Sequence, residues 1–226
     1  MTPKRTGFRF GPGGLKSSCS KEGDDMRVRG ESLQLFVDTA SQAFDQFAKA
    51  PEARRSIRQF FAALEQPGVA RVGEGSRLPV CAQLDVALAV DTSYYSSLTR
   101  LIEAFKGIEP MLEWRRRSKY DHTASDNFVD GHANAMIIGP GGLEERSDLW
   151  FGVTLLAPHV RYPDHDHAPE EVYLVLSDGE FQQGEGDWFS PGIGGSFYNV
   201  PGIRHAMRSL DTPLFAFWVL LAERPH

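Results

Sequence analysis

Tyr162, His165, His167, Glu171 and Tyr173 crowd into one short stretch of this chain, and a further imidazole follows at His205. Imidazole and carboxylate are favoured ligands of divalent first-row metals. His165 and His167, spaced by one residue, fall on one face of an extended chain, as do Glu171 and Tyr173 in the strand expected to follow. Bringing Glu171 to the side of the two histidines needs an extended run or a slight bulge. The set predicts one metal held by His165, His167, Glu171 and His205, with an ionisable phenol beside it. That is a catalytic arrangement more readily than a structural one. Zinc, iron, manganese, nickel and cobalt all suit such ligands, so the set does not choose among them. Glu170 is the rival carboxylate, and spacing favours Glu171. His122, His132 and His159 have no partner at ligand spacing and are expected to be satisfied or exposed.

The elements that must position these groups fall into two halves. Residues 1–30 are rich in Gly, Ser, Lys and Arg without apolar periodicity and read as a disordered tail, with Met26 as an alternative start. A helical region is predicted over 31–124. Leu33, Phe36, Val37, Ala40, Phe44 and Phe47 mark one face of a first helix, and Pro51 opens a second through Ile57, Phe60 and Leu64. A third is expected from about Ser93 to Ile108. After it a short turn runs through Trp114 to Arg115, Arg116 and Arg117, read as a solvated helix end. Over 125–226 the period becomes two. Strands are expected at 135–138, 150–156, 172–176, 180–183, 196–200, 205–209 and 214–221, punctuated by Gly, Pro and Asp turns. Short strands at even spacing argue for a closed barrel or jelly roll, which leaves few open edges.

Composition narrows the classes. A net charge of -6 disfavours nucleic acid and anionic membrane as partners. The longest apolar run, from Leu214 to Ala222, suits a buried strand rather than a membrane span. Cys19 and Cys81 make no disulfide framework, and the charged first residues lack an apolar signal core, so the cytoplasm is the default location.

The pattern His-x-His-(x)3-Glu at His165, His167 and Glu171, then Gly179, and later Gly195, Pro201, Gly202 and His205, resembles the two motifs of the cupin superfamily. There the motifs gather two His and a Glu from one hairpin and a His from a later strand around one metal. Departures are one extra residue between Glu171 and Gly179, Pro-Gly where Pro-x-Gly is usual, and Ser209 in place of Asn. The resemblance implies an α+β protein, a C-terminal cupin β-barrel behind a helical N-terminal region. Fold alone names no reaction. The chain further resembles bacterial cupin-type dimethylsulfoniopropionate lyases, most of all the L-type branch. Those enzymes carry a tyrosine two residues past the metal Glu, here Tyr173, and several carry another before the His pair, here Tyr162.

The chemistry so implied is β-elimination of dimethyl sulfide from a small sulfonium propionate, leaving acrylate. Tyr173 is the expected base and Tyr162 the assisting or substitute phenol. The sulfonium would rest on aromatic faces, with Tyr120, Trp188 and Tyr198 as candidates; Trp150 and Phe197 are further ones, and Trp218 reads as core. Two rivals use the same residues differently. A cupin dioxygenase needs no tyrosine at the metal, and a ligand-sensing cupin would bind DNA through the helices, which lack a basic recognition face. The helices are expected to cover one end of the barrel and to offer a homodimer interface.

Overall fold

The computed structural model of the chain describes residues 28–71 and 73–222. Most of the expected tail, together with Cys19, Met26 and His226, lies outside the described residues. The tail's last residues are not loose: Arg29 is 8% exposed and pairs with Glu144 inside the protein.

Helix α1 spans Glu31–Phe47 and buries Leu33, Phe36, Val37, Ala40, Ala43 and Phe44, the helical stripe read from the sequence. Helix α2, Pro51–Ala63, opens with Pro51 in its first turn, where the missing N–H costs nothing. Strand β1 (Val69–Ala70) and helix α3 (Leu84–Leu88) precede helix α4, Ser96–Ile108. Helix α4 starts later than expected because the Asp91 carboxylate accepts the Ser93 N–H and Thr92 O accepts the Tyr95 N–H, which keeps that segment a turn. Strand β2 (Trp114–Arg115) and helix α5 (Phe128–Gly131) follow.

The remaining strands are β3 (His132–Ile138), β4 (Glu144–Glu145), β5 (Leu149–Leu156), β6 (Arg161–His165), β7 (Glu171–Val175), β8 (Glu180–Gln183), β9 (Ser196–Asn199), β10 (His205–Arg208) and β11 (Leu214–Leu221). The larger sheet runs β1-β4-β3-β5-β11-β7-β9 with β2 also on β3, and the smaller one runs β6-β10-β8. All the strands expected over the second half are present. The expected turn at Trp114 is instead a strand, with Trp114 opposite Ala135 and Arg115 opposite Asn134.

Strands β5 and β11 are apolar on both faces, and the two faces do different things. Phe151, Val153, Leu155, Phe215, Phe217 and Val219 belong to the core under the helices, where Phe36 meets Phe151 at 5.1 Å and Phe217 at 5.6 Å between ring centroids. Leu156, Leu214 and Ala216 face the other way, into a second core shared with Tyr162, Phe181 and Met207 of the small sheet. The interior between the sheets is therefore the barrel of an α+β cupin fold. The helices cover the outer face of the large sheet, not an end of the barrel as expected from the sequence. Among the described residues no helix is long and apolar enough to cross a membrane.

One glycine makes this two-faced arrangement fit. Gly152 stands opposite Trp218 in the β5–β11 register, and a Cβ there would come within 2.2 Å of the indole. Gly152→Ala is expected to lower stability by ~1–3 kcal/mol through overpacking, read from denaturant midpoints. An unchanged midpoint would mean that Trp218 has room to move.

Candidate metal centre

The two sheets meet at the ligand residues. His165 ends β6 and His205 opens β10, directly paired in the small sheet, while Glu171 opens β7 in the large one. His167 lies in the connection between β6 and β7. In each imidazole Nδ1 is bound to a backbone carbonyl two residues away: His165 to Pro163 O, His167 to Pro169 O and His205 to Ile203 O, all at 2.9 Å. An Nδ1–H spent on a carbonyl leaves Nε2 as the ligating atom.

The Nε2 atoms of His167 and His205 lie 3.4 Å and 3.3 Å from Glu171 Oε2. Both are buried and make no hydrogen bond. Ligand atoms of His167, Glu171 and His205 all fall within 4.8 Å of one another. Two orphaned ring nitrogens and a carboxylate at that separation fit a divalent ion. His165, expected as the fourth ligand, stays outside this converging group, with its ring 4.1 Å from that of His205 between centroids. Glu170 is engaged elsewhere, accepting from the Tyr198 hydroxyl, so the nearer carboxylate is Glu171.

Glu171 is fixed from behind. Asn199 Nδ2 donates to Glu171 Oε2 at 2.9 Å, and Gln183 Nε2 donates to Asn199 Oδ1 at 2.6 Å. Neither residue was singled out from the sequence; the cue is the strand register, which sets Asn199 opposite Glu171. Asn199→Ala is expected to weaken metal binding ~10–100-fold, the usual cost of removing an outer hydrogen-bond partner of a ligand. Metal competition against a chromogenic chelator measures it, and parental affinity would exclude this role.

Burial works against charge on Glu171, yet His167 and His205 hold its pKa down to about 2. Burial likewise disfavours charge on His167, but the Glu171 carboxylate outweighs it and raises that pKa above its ordinary value. His165 goes the other way: burial, with the neighbouring His205 charge, lowers it to about 3, so its ring is neutral near pH 7. A proton on His167 must therefore leave before metal enters, and metal affinity should fall as the pH drops through the raised His167 range. Calorimetry of metal uptake in two buffers of different ionisation enthalpy reads the released proton. Identical heats would contradict it.

A cavity of about 290 Å³ opens beside these ligands, lined by Tyr162, His165, His167, Glu171 and Tyr173 among others. Tyr173 is 2% exposed and stacks on Phe197 at 5.0 Å. Its phenol is pushed well above the ordinary value by burial and then by Glu171. Burial also raises Tyr162, while Arg117 and Asn134 act in the opposite direction. A one-way hydrogen-bond chain reaches Tyr162: Trp218 Nε1 donates to Thr154 Oγ1 at 3.0 Å, Thr154 Oγ1 to Asn134 Oδ1 at 2.7 Å, and Asn134 Nδ2 to the Tyr162 hydroxyl at 3.3 Å.

The family model described as dimethylsulfoniopropionate (DMSP) lyase matches residues 52–216. The chain belongs to this family. It is similar to dimethylsulfoniopropionate lyase DddQ of Ruegeria pomeroyi, 27% identical over 141 residues, covering 62% of this chain and 68% of that protein. The crystal structure of DMSP lyase DddQ from the same species overlays with a TM-score of 0.64 at 22% identity, covering 85% of this chain and 94% of that one. A chain from the crystal structures of the DMSP lyases RdDddP and RnDddQII gives 0.64 at 23% identity, covering 84% and 92%. These relatives carry the names DddQ and DddP.

Within this lyase fold the expected aromatic partners fall differently from the sequence reading. Trp218, read as core, lines the cavity, as do Trp150, Met207 and Leu220. Tyr120, Trp188 and Tyr198 are not among its lining residues. Tyr120 is 54% exposed against Phe128, and Tyr198 donates to Glu170. Trp188 carries Arg208 at 4.2 Å and Arg161 at 5.6 Å from its ring centre, so arginines already occupy its neighbourhood. The arginine run is no helix end: Arg115, Arg116 and Arg117 leave β2 and border the cavity. His132 is fully buried and satisfied, while His122 and His159 are exposed.

Proposed function

We propose that this chain is a metal-dependent carbon–sulfur lyase that cleaves dimethylsulfoniopropionate to dimethyl sulfide and acrylate, with His167, Glu171 and His205 as the metal ligands and Tyr173 as the base. The observation that carries the residue assignment is a convergent His-Glu-His group and two phenols in one cavity. His165 is the fourth ligand or a neutral neighbour that keeps the site's charge low.

A divalent ion held by His167, Glu171 and His205 would supply positive charge that offsets the effect of Glu171 on Tyr173 and would polarise a carboxylate in the cavity. As a phenolate, its own proton having passed to solvent, Tyr173 takes the proton from the carbon next to the carboxylate. That electron pair forms the carbon–carbon double bond, the adjacent carbon–sulfur bond breaks, and dimethyl sulfide leaves as a neutral molecule. Tyr162, held by Asn134, assists from the same cavity. Trp150 and Trp218 face the sulfonium, each aromatic face being worth ~0.5–2 kcal/mol to a cation. As for assembly and location, we infer a homodimer and the cytoplasm.

Purified, metal-analysed protein incubated with dimethylsulfoniopropionate should release dimethyl sulfide into the headspace. No gas from metal-replete protein would end the lyase reading and leave a metal cupin enzyme acting on another substrate.

A further inference from the structure

The metal-centred reading leaves the arginine cluster without a task. Arg115 is paired with Glu113, and Arg116 with Asp130 at 2.9 Å. Arg117 has no carboxylate partner among the described residues; its Nε donates to the backbone carbonyl of Lys119 at 2.7 Å. Its guanidinium carbon lies 5.8 Å from the centre of the Tyr162 ring, on the cavity wall.

Arg117 is also held in place from its main chain. Its backbone N–H donates to His132 Nε2 at 2.8 Å, and His132 Nδ1 is bound to the carbonyl of Phe128. The imidazole stacks on the Phe128 ring at 3.7 Å and is fully buried. A neutral histidine with one donor and one acceptor thus fixes where the chain leaves β2. The result is a half-buried cation, positioned by its neighbours and not neutralised by any of them. Such a charge pays for its lost hydration unless an anion meets it. A guanidinium fork matches a carboxylate in particular, through two parallel hydrogen bonds. Trp150, Trp218, Met207 and Leu220 supply aromatic and apolar wall in the same cavity. The cavity therefore offers one place for an anion and another for a soft cation.

We propose that Arg117 is the carboxylate anchor of this cavity, orienting a zwitterion by its acid end. The substrate's identity here rests on the lyase reading above; the anchoring of a carboxylate does not.

The test compares metal-loaded parent, Arg117→Gln and Arg117→Lys, all checked for parental thermal melting. Quenching of cavity tryptophan fluorescence reports binding of acrylate, a carboxylate without sulfur, and of trimethylsulfonium, a sulfonium without a carboxylate. Arg117→Gln should weaken acrylate binding and raise KM for dimethylsulfoniopropionate ~10-fold or more, the scale of one charge-assisted paired contact. Trimethylsulfonium binding should stay at the parental level, and Arg117→Lys should fall between. Acrylate binding and KM that ignore Arg117, or acrylate and trimethylsulfonium weakened alike, would overturn the anchor. If the parent yields no dimethyl sulfide while acrylate binding still depends on Arg117, the lyase reading fails and the anchor stands.

Discussion

Tyr173→Phe is expected to lower turnover of dimethylsulfoniopropionate by ~10²-fold or more, the scale of losing a general base. The substitution suits the question because the ring stays. Tyr173 stacks on Phe197 and also meets Phe181 at 5.5 Å, so phenylalanine fills the same space and only the oxygen goes. Metal content should remain parental, since the ligating nitrogens and carboxylate belong to other residues. Without metal, burial and Glu171 keep this phenol protonated, so chelator-treated parent should resemble the variant. Tyr162→Phe is the necessary companion. It removes the acceptor of the Asn134 donor and should cost less, about tenfold, if Tyr162 assists rather than abstracts the proton. Initial rates at saturating substrate, normalised to metal content, decide the matter. A larger loss for Tyr162→Phe would exchange the two roles, and parental rates for both would move proton abstraction away from the phenols.

Removing Glu144 should be the most damaging change far from the cavity. Its carboxylate accepts from Arg29 Nε at 2.6 Å and Arg29 Nη2 at 3.0 Å, and from the Gly68 N–H at 2.8 Å. Both side chains of the pair are 3% exposed. Arg29 also donates to the carbonyl of Leu64, so one guanidinium ties the start of α1 to the end of α2 and to β4. Glu144→Ala would leave that charge buried and uncompensated, costing about 3–5 kcal/mol. For a chain of this size the cost corresponds to a fall in Tm of roughly 6–20 °C. The double variant Arg29→Met with Glu144→Leu should recover most of it, because an apolar pair needs no charge balance. A single variant melting within a degree or two of the parent would show that water or another group reaches Arg29.

The parts of the molecule legible in the sequence are those written in neighbouring residues. The stripe Leu33, Phe36, Val37, Ala40 and Phe44 specifies α1, and Pro51 marks the start of α2, because helical spacing and a fixed φ are local properties. His167 and Glu171 were legible for the same reason, and His205 through its motif. His165 shows the limit of that reasoning. Two histidines separated by one residue share a face only while the strand continues, and β6 ends at His165, so His167 approaches Glu171 from a connection instead. The cavity wall was illegible because pairing between distant strands creates it. Asn134 meets Thr154 across β3 and β5, and Trp218 meets Gly152 across β5 and β11. The arginines were misread on the same account: after a helix they look like a helix end, and only the pairing of β2 with β3 turns them toward the barrel.

Strands β5 and β11 act as a partition between two sets of demands. Residues facing the helices, such as Phe151 and Phe217, answer to stability, while Trp150, Thr154, Trp218 and Leu220 on the other side answer to whatever enters the cavity. A combinatorial library confined to the cavity-lining positions Trp150, Thr154 and Leu220 could be searched for new substrates while Gly152 and the second core stay fixed. Outward positions would form a separate library, selected for heat tolerance alone, and the winners of the two could be combined in one chain.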